Sequence, residues 1–177
     1  MAEIGDTGLN AKVLQLQSDP DNVEDVAKAH LLLGVEAERR MDWEAAADQY
    51  QRLIELAPED KGVRYFGYNN RAYALLQLRR FAEAESHCVA AIEVDDDRHN
   101  AYKNIGLAYQ ALEQPATAAV CFIKAGFRNP ADKRAWLHLQ QLLSRTPDLL
   151  DDDPETVEAM EQLRKHYEVN GGVPGLN

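Results

Sequence analysis

At 177 residues, 28% of them charged and 45% hydrophobic, the chain has the size and composition of one soluble globular domain with a substantial core. A net charge of −11 and a pI near 4.9 exclude a surface built to neutralise nucleic-acid phosphates, which needs clustered Lys and Arg. No run approaches the ~18 apolar residues that span a bilayer, and MAEIGDTGLN lacks the basic and apolar regions of a secretion signal, so no membrane insertion and a cytoplasmic location are expected.

Residues 1–26 form an acidic extension with one lysine against six acids, a composition suited to a solvated face. Within it LNAKVLQLQ carries a short helical pattern. SDPDNVED then punctuates the chain ahead of a helix expected from about Val23. Asp21 or Asn22 would be its N-cap, because a short polar side chain there satisfies an orphan amide.

Beyond that point the sequence repeats itself. Stretches starting at His30, Tyr68 and Tyr102 align so that small residues recur as Gly34, Ala72 and Gly106, and again as Ala46, Ala84 and Ala118. Larger residues recur as Tyr50, Cys88 and Phe122, then as Leu53, Ala91 and Ala125, and helix-ending residues as Pro58, Asp96 and Pro130. Every column steps by 38 residues from the first unit to the second and by 34 from the second to the third. The extra four, around DKGVRYFG, amount to about one helical turn and predict a longer first helix in the second unit, with its buried face unrotated.

The units, 27–60, 65–98 and 99–132, each split into two amphipathic helices at RRMDW, QLRRF and LEQPA. Pro115 stands where it can open a helix without costing a hydrogen bond. A hairpin this small cannot bury its own apolar face, so the units must stack. Gly106, in mid-helix, costs ~1 kcal/mol relative to Ala. Its alignment with Gly34 and Ala72 marks a column where two helices lie so close that a larger side chain would part them.

Residues 133–169 read as a capping pair of helices. Trp136, Leu139 and Leu143 continue the first-helix pattern. DDDPETVEAMEQLRKHYE then opens on an acidic turn and Pro154, with an apolar stripe of Val157, Met160, Leu163 and Tyr167. The tail, 170–177, is expected to be disordered.

The residue types of catalysis are present but not arranged for it. Cys88 and Cys121 sit in apolar helical contexts without a CxxC and read as buried, reduced thiols. None of Ser18, Ser86 and Ser144 lies in a GxSxG elbow, and the five histidines make no HExxH. His87 and Cys88 are neighbours, which on a helix point to different faces. The two DDD runs lack the glycine and terminal glutamate of a calcium loop, and no Gly-rich phosphate loop is present. The expectation is a chain that is not an enzyme and carries no cofactor and no metal site.

Tyr102, Ile105, Gly106, Tyr109, Ala118, Phe122, Ala125 and Pro130, with three tandem units, resemble the tetratricopeptide repeat (TPR) family over about residues 27–145. The chain departs from that pattern at the polar His30 and Arg71, at Ala37 in place of a larger side chain, and at Asp96 in place of Pro. The resemblance implies an all-α fold, a right-handed α-α superhelix (TPR solenoid) of helix hairpins whose first helices line a concave groove. By that analogy the groove positions are Lys28, Leu31 and Val35, then Phe66, Asn69 and Tyr73, then Asn100, Lys103, Leu107 and Gln110. Arg134, Leu137 and Gln141 follow on the cap helix.

Some family members clamp the C-terminal carboxylate of heat-shock chaperones with Lys, Asn and Arg. In direct register the matching positions are Leu31, Val35, Asn70, Asn100 and Asn104, which keep only amides. One unit along they are Asn69, Tyr73, Asn104, Arg134 and His138, which keep one Asn and two cations. The function implied is a non-enzymatic adaptor or scaffold that binds a protein or peptide ligand, through a few apolar anchors, in the groove. For Leu31, Val35 and Leu107 the competing reading is support of the fold alone. Two other functions are compatible with the sequence: a homo-oligomeric assembly platform, and a small acidic chaperone holding a client protein.

Overall fold

The computed structural model describes residues 22–169; Asp21 as a cap, the LNAKVLQLQ helix and the tail from residue 170 lie outside the described residues. Among the described residues every regular element is a helix, as the repeats require. The chain divides after Asp95 into two compact units. The first holds α1 (Val23–Arg39), α2 (Trp43–Glu55), α3 (Lys61–Gln77) and α4 (Phe81–Val94). The second holds α5 (His99–Ala111), α6 (Pro115–Arg128), α7 (Arg134–Arg145) and α8 (Pro154–Val169).

Short polar side chains and prolines start these helices. Asp42 accepts from the Ala45 N–H (3.2 Å) at α2 and Asp60 from the Val63 N–H (3.0 Å) at α3, each satisfying an otherwise orphaned amide. α6 and α8 open on Pro115 and Pro154, and Asp153 accepts from both the Thr156 N–H (3.1 Å) and its hydroxyl (2.6 Å). α1 begins at Val23 as expected, although the Asn22 side chain makes no capping bond. The four extra residues of the second unit lengthen α3 at its start: it has 17 residues against 13 in α5. α1 also has 17, so the longer first helix is shared by the first two hairpins.

The three hairpin turns share one geometry that the sequence does not advertise. Met41, Arg79 and Glu113 occupy the same repeat position and adopt φ of 57°, 61° and 60°. The residue after each donates its N–H back across the turn, Asp42 to Ala37 O, Arg80 to Leu75 O and Gln114 to Tyr109 O (2.9–3.0 Å). This is the six-to-one closure of a Schellman motif, usually built on Gly. Here three side-chain-bearing residues take the left-handed conformation, at ~1–2 kcal/mol each.

The aligned columns are the core. Ala46, Ala84, Ala118, Tyr50, Cys88, Phe122, Leu53, Ala91 and Ala125 are all between 0% and 1% exposed. Small and large positions compensate across each hairpin. A Cβ on Gly106 would meet the Phe122 ring at 2.6 Å, and one on Gly34 would overlap the Tyr50 ring. In the remaining hairpin the small residue is Ala72 and its counterpart the compact Cys88, both fully buried. Burial of an aromatic side chain contributes ~1.5–3 kcal/mol, which exceeds the ~1 kcal/mol helix cost of glycine. Gly126 of α6 does the same for the capping helix, seating Leu163 of α8 with Cδ2 2.6 Å from where a Cβ would be.

Both polar departures from the family pattern have partners. The His30 ring Nδ1 donates to Gln49 Oε1 (2.8 Å) between α1 and α2. Arg71 of α3 donates through Nε to His87 Nε2 of α4 (3.0 Å) and through a terminal nitrogen to Ala47 O of α2 (3.1 Å), so one guanidinium ties three helices. Burial first, and then the Arg71 charge, push His87 down to about 4, which keeps its ring a neutral acceptor. Cys88 and Cys121 are free and buried, and burial raises the Cys121 thiol to about 11. Among the described residues no helix is long and apolar enough to cross a membrane.

Candidate partner-binding faces of the two units

In the first unit the groove positions lie at three- and four-residue spacing along α1 and α3, so each helix presents them on one stripe. Lys28 is exposed and Leu31 and Val35 are half-buried. Leu31 also packs against the core around Ala27, Leu53 and Val63, so its role is at least partly structural. On α3, Phe66 is 38% exposed, large for an aromatic ring, while Tyr73 is half-buried and meets Trp43 edge-on at 5.7 Å. Asn69, expected on the surface of the groove, is instead buried, its amide donating to Asn70 Oδ1 (3.0 Å).

In the second unit, α5 and α7 bring basic and amide groups together. Lys103 and Asn104 are 8% and 2% exposed, far less open than groove positions on a bare helix face would be. The aliphatic stem of Lys lets it cover apolar surface, which is how a lysine fits at such a depth. Asn100 is half-buried and accepts from an Arg134 terminal nitrogen (3.4 Å), and Leu107 packs against the core that contains Phe122 and Trp136. Arg134 also forks onto Asp132 through Nε (2.8 Å) and a terminal nitrogen (2.6 Å), holding that carboxyl well below the usual range. Leu137, one residue from His138, is 47% exposed.

His138 stacks on the Phe122 ring at 5.4 Å, so its position is set by the core beneath it. Burial, then the Lys103 charge, then the Arg134 charge push it below its ordinary value. The region thus holds a neutral His138 ring with two cations near it, Lys103 and Arg134, the second of them paired with Asp132. Trp43 is the residue that first-helix reasoning missed. It opens a second helix, and its signal was a large aromatic at a hairpin break, beside Tyr73, one of the positions expected in the groove. Gln110 and Gln141 are half-buried and exposed, respectively. No group of three or more His, Cys, Asp or Glu side chains is placed to hold a metal among the described residues.

Comparison with known proteins agrees with this architecture. The model of the tetratricopeptide repeat matches residues 67–98. Stress-induced-phosphoprotein 1 of Caenorhabditis elegans is 28% identical over 159 residues, covering 85% of this chain and 48% of that protein. The chain spans between 15% and 48% of the length of the curated relatives it matches. Among solved structures, the TPR domain of Arabidopsis OM64 is 28% identical with a TM-score of 0.64, over 70% of this chain and 98% of that one. The second TPR domain of human RPAP3, solved in complex with the HSP70 peptide SGPTIEEVD, is 26% identical with a TM-score of 0.60, over the same shares. With its aligned columns buried, its hairpins closed by one repeated turn, and these likenesses, the chain has the fold of a tetratricopeptide repeat solenoid and carries a matched repeat at residues 67–98.

Proposed function

We propose that the chain is a protein-interaction adaptor that binds a peptide segment of a partner through first helices of its hairpins, the acidic end of the peptide lying on α5 and α7 of the second unit. The observation that carries this reading is the placing of two cationic side chains, Lys103 on α5 and Arg134 on α7, with the Asn104 amide next to Lys103 and the neutral His138 ring one turn beyond Arg134, in a protein of net charge −11. Basic groups concentrated against the overall charge suit the recognition of an acidic segment or a terminal carboxylate. Leu137, open on α7, supplies an apolar contact in the same unit, and Val35, Phe66 and Tyr73, open or partly open, form an apolar face of their own on the first unit. The acidic peptide bound by the RPAP3 domain combines carboxylates with Ile and Val, the same two chemistries.

The test is a calorimetric titration of SGPTIEEVD with its C-terminus free and, separately, amidated. The free peptide should bind, and Lys103→Glu should weaken it by tenfold or more, about 1.4 kcal/mol. Leu137→Ala should weaken both forms of the peptide alike. Equal binding of the free peptide to wild type and Lys103→Glu, or no binding to wild type, would contradict this function.

A further inference from the structure

Outside these faces, the second unit contains a cavity of about 260 Å³ lined by Pro130, Ala131, Lys133, His166 and Tyr167. It is several times the ~30 Å³ share of one water molecule. One wall is the loop that leads into α7, with Lys133 at the N-cap position, and the other is the last turn of α8, which carries His166. Tyr167 is 3% exposed, yet its hydroxyl has no hydrogen-bond partner among the described residues. A buried hydroxyl left in that state costs ~1–3 kcal/mol. Burial and then the Asp132 charge raise Tyr167, so the phenol keeps its proton and is a donor, and it shares the cavity wall with Pro130, Ala131 and Lys133.

Asp132 itself is committed elsewhere. Its carboxylate accepts from the Arg134 backbone N–H (3.1 Å), from the Arg134 guanidinium (2.6 Å) and from the His99 ring (2.8 Å). The donors around the cavity are thus a lysine, an imidazole and a buried phenol, a set that matches an oxygen anion. We propose that this cavity is a binding site for a small oxyanion, a phosphate or carboxylate group, held by the Tyr167 hydroxyl between Lys133 and His166. The site is independent of the peptide reading, since none of its residues lies among the proposed peptide contacts.

Thermal melts of wild type and Tyr167→Phe in sodium phosphate, sodium acetate and sodium chloride at matched ionic strength test it. Without phosphate or acetate, Tyr167→Phe should melt at the wild-type temperature or above, because the lost hydroxyl had no partner. A saturable rise with phosphate or with acetate, beyond that in chloride, supports the site in wild type and tells which anion it takes. That rise should vanish in Tyr167→Phe and shrink in Lys133→Met. Equal anion responses in wild type and Tyr167→Phe, or no response beyond chloride in wild type, would overturn the proposal. Should Tyr167→Phe prove unstable, saturable phosphate- or acetate-induced NMR shifts confined to residues 130–135 and 166–167 of wild type support the site, and unconfined or absent shifts overturn it.

Discussion

The Phe122 ring of α6 occupies the space that a side chain on Gly106 of α5 would need, 2.6 Å from the position of the missing Cβ. The equivalent pair two units earlier, Gly34 and Tyr50, repeats the arrangement, and Ala72 with Cys88 between them trades a larger small residue for a smaller large one. Gly106→Ala should therefore destabilise, although Ala is the better helix former by ~1 kcal/mol. Gly106→Leu should destabilise by ~2 kcal/mol or more through overpacking. Phe122→Cys alone leaves a cavity and costs ~3 kcal/mol. Combined with Gly106→Ala it recreates the middle hairpin's pair, so urea denaturation should show the double variant more stable than the sum of its parts predicts. Strict additivity would mean the two residues do not compete for that space.

The hairpin turns offer a gain in stability. Glu113 adopts φ of 60° in an exposed turn, a conformation that glycine reaches without the Cβ penalty. Glu113→Gly should stabilise by ~0.5–1 kcal/mol once the glycine's extra freedom in the unfolded chain is subtracted from the relief. Met41→Gly, at the same position of the first hairpin, should act in the same direction. A fall in the urea midpoint for both would show that the left-handed turn is stabilised by its side chains.

Stability should decline with acid in two stages. His30, His87 and His138 are all held below their ordinary 6.5, with burial the first cause at each. For His87, between pH 6.5 and about 4 the unfolded chain takes up a proton that the folded chain refuses, so stability falls as pH falls through that window. Asp132, lowered chiefly by Arg134, acts in a lower window: its contribution is present above the ordinary carboxylate range and is lost as pH falls below it. Glu38, raised by burial, gains stability as pH falls toward the ordinary carboxylate range and so opposes only the first stage. Arg71→Gln removes the cation beside His87, and NMR titration of that ring should move upward from about 4 toward 6.5. An unmoved titration would mean burial alone sets it.

The repeat columns make the core legible in the sequence, because a repeated small–large pair has a single physical use, close packing of two helices. The buried set Ala46, Tyr50, Leu53 and its counterparts follows from alignment alone. The turns are not legible there: Met41, Arg79 and Glu113 have no composition in common, and their shared φ is imposed by the helices on either side. Arg71 looks like a departure because its partners, Ala47 and His87, are 24 and 16 residues away and meet it only in the fold. The groove positions rest on analogy, which gives a helix face but not a depth. Asn69, Lys103 and Asn104 accordingly lie deeper than the face suggests, and while Arg134 precedes His138 by one turn of α7, the Lys103 charge reaches His138 from another helix and so depends on the fold.

Whether partners bind on the first helices of the hairpins can be decided by NMR shift mapping of the labelled protein with free-carboxylate SGPTIEEVD. Binding there should give saturable shifts at Lys103, Asn104 and Leu137, on α5 and α7, with α2, α4 and α6 little changed. Shifts centred on exposed residues of the second helices, such as Val89 of α4 or Phe127 of α6, would contradict it.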